Sequence, residues 1–147
     1  MPVVHRLQPH DAAAAARWDE FVFACPEATF FHRVGWQSIL RDVFRHQPHF
    51  LYAEEAGRIV GVLPLARVKS VLFGHSLVSL PFAVYGGVAA SDLAAADALE
   101  REAQRLAGEL GVEHLELRNL QPRHADWPTQ DLYVTFRKPI LAEEEAN

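Results

Sequence analysis

Four side chains and one glycine pair are the places where this sequence could do chemistry. Tyr85-Gly86-Gly87 reads as a loop directly before a helix. A strand, a glycine loop and a helix N-terminus in succession form a place where proteins bind anionic or acyl groups through backbone N–H groups. Tyr85 either lines that pocket with its hydroxyl or fills the edge of the core. Lys69 follows a long apolar run and offers a cation to a phosphate or carboxylate, although a solvated strand-end lysine is the commoner role. Arg118 ends an alternating strand, where its fork can hold a carboxylate or phosphate or pair with Glu116. His32 precedes a helix, placed to contact substrate or act as a base, with a structural histidine the commoner outcome.

Other chemistries lack their marks. His46 and His49 stand three apart, but Pro48 breaks any helix that would align them, and no third ligand is suitably spaced. No metal site is expected. The single cysteine, Cys25, has no activating neighbour and reads as a small buried hydrophobe. It cannot form an internal disulfide, which fits a reducing compartment. Neither a Gly-x-Ser-x-Gly elbow nor a Walker loop is present, so hydrolase and nucleoside-triphosphatase readings go unsupported.

The elements that must position these residues follow from pattern. Val3 to Leu7 is a short strand, and Asp11 caps a helix through the alanine run to Ala24, with Trp18, Phe21 and Val22 on one face. A second helix is expected over Val34 to Phe44, from apolar residues at Trp36, Ile39, Leu40 and Val43. Phe50 to Glu54 and Ile59 to Val68 form a hairpin across Glu55-Ala56-Gly57-Arg58. The second of these strands is apolar on both alternating sets, hence buried on both faces, and Pro64 within it suggests a bulge or splay. Phe73-Gly74-His75 is a turn into a short strand, Leu77 to Leu80. Ser91 caps a long helix ended by Gly111, Val112 to Arg118 alternates as a strand, and Leu132 to Arg137 is the last strand before the acidic tail, 141–147.

That order gives an α/β (α+β) class with a mixed, mainly antiparallel sheet flanked by helices. With 147 residues, half of them hydrophobic and 22% charged, the chain fits one globular domain over 1–140. A net charge of −5 argues against a general nucleic-acid surface, so DNA is not an expected partner. The apolar stretch from Val71 to Ala90 is broken by His75, Pro81 and glycines, so no membrane span is expected. The start lacks a basic region followed by an apolar core, and a cytoplasmic location is expected.

Five segments, in this order and spacing, carry a resemblance: PEATFFH at 26–32, GVLPL at 61–65, VKS at 68–70, YGG at 85–87 and LELR at 115–118. With them the chain resembles the N-terminal half of the FemAB-like proteins of the GNAT acyltransferase superfamily, and most of all those found with exopolysaccharide and exosortase systems. The resemblance implies an acceptor-binding domain for a cell-wall or exopolysaccharide precursor, a second GNAT-like domain in cis, and aminoacyl-tRNA as acyl donor. Acetyl-CoA is the lesser donor, because Val84 stands where the acetyl-CoA loop of GNAT proteins begins with Arg or Gln. Acyl transfer needs positioning, an oxyanion donor and a proton route; the glycine-loop amides and Glu116 or His32 are the candidates. The alternatives are a stand-alone acetyl-CoA-dependent N-acetyltransferase and a non-catalytic protein-interaction module, the latter expected to form a homodimer or dock another protein.

Overall fold

The computed structural model describes residues 1–72, 74–130 and 134–136. Strand β1 (Val3–Arg6) leads to helix α1 (Ala12–Ala24), a one-turn 3₁₀ helix (Phe30–His32) and the short helix α2 (Trp36–Asp42). Strands β2 (Gln47–Glu55), β3 (Arg58–Ser70), β4 (Gly74–Ser79) and β5 (Ala89–Ala90) follow, then α3 (Leu93–Leu110) and β6 (His114–Glu116). The sheet order is β1-β2-β3-β4-β6 with β5 also against β3, and every pairing is antiparallel except β4 with β6. This is the expected mixed, mainly antiparallel sheet.

Two cores sandwich it. On one face Trp18 and Val22 of α1 and Leu40 of α2 pack on Phe50, Val62 and Ala66. On the other, Leu99, Ala103 and Leu106 of α3 pack on Leu51, Leu63, Leu65 and Leu77. Alternate residues of β3 therefore enter opposite cores, which is why its sequence is apolar at both sets of positions. Cross-connections hold the first layer: the Trp18 indole donates to the His32 carbonyl at 2.7 Å, and Asp19 accepts from the Val34 N–H at 2.8 Å and from Arg33 at 3.2 Å.

Several expectations are corrected. Helix α2 is shorter than its apolar spacing suggested; Leu40 is buried, but Ile39 and Val43 are exposed and Gln37 is buried instead, donating to the Leu7 carbonyl at 3.1 Å. The bulge lies at the Ala53/Glu54 shift opposite Val60, not at Pro64, which pairs regularly with Phe50. Pro64 does mark a splay. The edge of β3 is taken by β4 from Leu65 onward and by β5 at Gly61 and Val62, and residues 80–88 loop out between them. Strand β4 begins at Gly74, so the turn is earlier than expected. The strand expected over Val112 to Arg118 covers only His114–Glu116, as β6. The expected strand Leu132 to Arg137 and the acidic tail lie outside the described residues, save 134–136, which are irregular and exposed.

Candidate active-site cleft

The glycine loop does not open a helix. Between Gly87 and α3 stand β5 and the cap residue Asp92, whose side chain accepts from the Ala95 N–H at 2.8 Å. Asp92, not Ser91, caps the helix; the Ser91 hydroxyl donates to the Val60 carbonyl at 3.0 Å. A carboxylate therefore already sits at the positive end of α3, where an anion was expected.

Loop 80–88 is held in a costly conformation by what surrounds it. Leu80 and Phe82 have φ of +43° and +71°, values that side chains other than glycine rarely adopt. Gly86, at φ +153°, has no room for a Cβ, which would stand 2.6 Å from that of Leu80. A Cβ on Gly87 would lie 2.7 Å from both N and Cα of Asn119, so the pair serves a close backbone crossing.

Three of the expected site residues meet in one hydrogen-bonded chain. His32 is 2% exposed. Its Nδ1 accepts from the Thr29 N–H at 2.9 Å, so Nε2 carries the proton and donates to the Gly87 carbonyl at 2.9 Å. The Gly87 N–H donates to the Arg118 carbonyl at 3.0 Å, and the Val88 N–H to Asn119 Oδ1 at 3.0 Å. Arg118 in turn donates from its N–H to buried Ser79 Oγ, from Nη1 to the Ala83 carbonyl and from Nε to Glu116, each at 2.7 Å. His32 and Arg118 are thus the clasp that fixes the loop. Burial holds the His32 pKa below its ordinary value, opposed by its bonds to Gly87 and Thr29.

Tyr85 lines an open cleft between this loop and the segment that follows β6, together with Glu116, Arg118, His124 and Trp127. Lys69 is not part of it. It is exposed at the far end of the β3–β4 hairpin, opposite His75.

The cleft contains a group that sequence reasoning missed. Glu100 of α3 is 2% exposed and accepts from Arg123 Nε at 2.6 Å and from His124 Nε2 at 2.7 Å. Arg123 also reaches Asp97 at 2.8 Å, and the His124 ring stacks on Trp127 at 4.6 Å between centroids. A buried carboxylate that fixes one imidazole nitrogen leaves the other as a proton acceptor. One signal was legible: Glu100 falls four residues after Ala96 and three before Ala103, inside the buried stripe of α3. An acid there needs a partner. The partners, 23 and 24 residues further on, have no pattern to announce them.

Solved structures share this fold. A GNAT family acetyltransferase of Staphylococcus aureus subsp. aureus USA300_TCH1516 superposes with a TM-score of 0.60 at 9% identity, over 92% of this chain and 98% of that one. An aminoglycoside acetyltransferase, HMB0005, from an uncultured soil metagenomic sample gives 0.60 at 17% identity, over 95% and 99%. The fold is that of the GNAT acetyltransferases. A transcriptional regulator from Bacillus halodurans C-125 shares it more distantly, with a TM-score of 0.51 at 11% identity over 91% of this chain and all of that one. No protein-family model and no curated protein matches the sequence. Among the described residues, no helix of this GNAT fold is long and apolar enough to cross a membrane.

Proposed function

We propose that this GNAT fold is the acceptor-binding domain of a FemAB-like acyltransferase, which moves an acyl or aminoacyl group onto an amine of a cell-wall or exopolysaccharide precursor. The observation that carries the reading is the commitment of the loop amides. The N–H groups of Gly87 and Val88 go to Arg118 and Asn119, and the start of α3 is capped by a carboxylate. A pyrophosphate would meet Asp92 where it needs donors, which favours an aminoacyl ester over acetyl-CoA as the donor.

In this reading the cleft binds the acceptor. Tyr85 and Arg118 face its polar groups. His124, oriented by Glu100, takes the proton that the acceptor amine releases as the new C–N bond forms. The ester C–O bond breaks, and that proton goes on to the departing hydroxyl. Arg123 holds Glu100 in place; the bond to Glu100 holds the Arg123 pKa above its usual value.

Titration of the chain with a peptide-bearing nucleotide-sugar precursor, read by tryptophan fluorescence, tests this. Saturable binding is expected, and Arg118→Gln should weaken it about tenfold, the worth of one charge-assisted hydrogen bond. A signal that never saturates would remove the reading. A stand-alone acetyl-CoA-dependent N-acetyltransferase has one observation in its favour: the two solved acetyltransferases are matched over 98% and 99% of their own length.

A further inference from the structure

A second cationic centre lies outside the cleft, where β1 ends and β2 begins. A pocket of about 410 Å³ there is lined in part by Arg6, Arg41, Arg45 and His46. Arg41 is paired directly, through two hydrogen bonds to Asp42 at 2.7 and 2.9 Å. Among the described residues neither Arg6 nor Arg45 has a carboxylate at ion-pair distance, although Asp42 lies within the field of Arg45; the side-chain bond of Arg6 goes to the Pro48 carbonyl at 3.3 Å.

A neighbouring group strengthens the case. The strand register sets Arg6 opposite Leu51 and Arg67 opposite Gln47, so both are diagonal neighbours of His49 on one face of the sheet. His49 is 1% exposed, and among the described residues neither of its ring nitrogens has a hydrogen-bond partner. Such a polar group is costly to bury. Arg67 is also bonded to His75, another basic side chain. On a chain with a net charge of −5, this end carries an excess of cations that the fold does not balance.

Arg45 adds a third observation. It holds φ +59° at the end of α2, and the next N–H, of His46, returns to the Leu40 carbonyl at 2.9 Å. That position ordinarily belongs to glycine, which adopts it without strain. The chain instead places a guanidinium on the pocket rim. The His46 ring is set by stacking on Phe82, 5.6 Å between centroids.

We propose that this pocket binds a phosphoryl group, whether a free phosphate or the phosphate of a larger small molecule. Arg6 and Arg45 supply charge-assisted hydrogen bonds to its oxygens, Arg41 adds charge, and His46 forms one wall. The bound anion offsets the field that the neighbouring guanidinium groups impose on His49. The pocket is separate from the acceptor cleft and stands independently of the acyl-transfer reading.

Calorimetric titration with inorganic pyrophosphate, at neutral pH and constant chloride, tests it. One saturable site is expected. Arg45→Gly should weaken binding about tenfold while leaving the melting temperature unchanged or higher, because glycine suits the left-handed backbone. Arg6→Gln should weaken it to a similar degree, and Lys69→Gln, at the exposed far end of the β3–β4 hairpin, should leave it unchanged. Failure to saturate at about 10 mM, a scale well above useful affinity, would overturn the proposal. So would saturable binding that neither Arg45→Gly nor Arg6→Gln weakens.

Discussion

His32 and His49 are both buried imidazoles, yet they meet burial in opposite ways. His32 spends both ring nitrogens on backbone groups, bridging Thr29 and Gly87. His32→Ala would leave the Gly87 carbonyl without that donor and open a cavity, so a loss of about 2–3 kcal/mol in denaturant unfolding is expected. His49 has no such partners, and burial, with Arg6 and Arg67 nearby, holds its pKa down to about 4. As pH falls, the unfolded chain takes up this proton first, near its ordinary value of 6.5. The contribution of neutral His49 is therefore complete above that value, declines between 6.5 and about 4, and is gone below. The full loss amounts to about 3 kcal/mol for this shift. His49→Leu should accordingly gain stability relative to the wild type as pH drops from 7 to 4, in unfolding measured without phosphate or sulfate. A difference between the two proteins that does not vary with pH would refute that assignment.

Loop 80–88 shows what can be read from an element and what cannot. Helix α1 was legible because its signals are local: Asp11 caps it, accepting from the Ala14 N–H at 2.9 Å, and Trp18 and Val22 recur at helical spacing. The β2–β3 hairpin was legible from Ala56-Gly57, both of which take positive φ. The glycine pair stood out in the sequence as a place of special backbone geometry, but the residues it crosses did not. Its role comes from Asn119 and Arg118, more than thirty residues away in sequence, and a pattern confined to the loop cannot show that crossing. The same contact shortens β6, whose continuation turns to clasp the loop and leaves the ladder after Glu116. Ser91 and Asp92 are both good caps by type, and only the bond to Val60 diverts Ser91. Two predictions belong here. Gly87→Ala forces a backbone shift at Asn119 and should destabilise by about 2–4 kcal/mol. Asp92→Ala removes a cap and should cost about 1 kcal/mol in the same assay.

At the scale of the whole molecule, two hollows of different chemistry stand beside the sheet among the described residues. The cleft beside loop 80–88 combines Tyr85, Arg118 and the Glu100–His124 pair, suited to a polar acceptor and a proton transfer. The pocket at the end of β1 is cationic. The fold class followed from the sequence because β3 feeds two cores and its apolar pattern records both. The His124 site did not, because its parts come from α3 and from an irregular segment that follow no shared period. In the proposed function this GNAT fold serves acyl transfer without a pyrophosphate cradle at α3. Melting temperature measured against increasing acetyl-CoA addresses it most directly. No saturable rise is expected up to about millimolar ligand. A rise of several degrees that saturates at micromolar concentration, where binding linkage adds about 3 kcal/mol at a hundredfold excess over Kd, would contradict it and establish the stand-alone acetyltransferase instead.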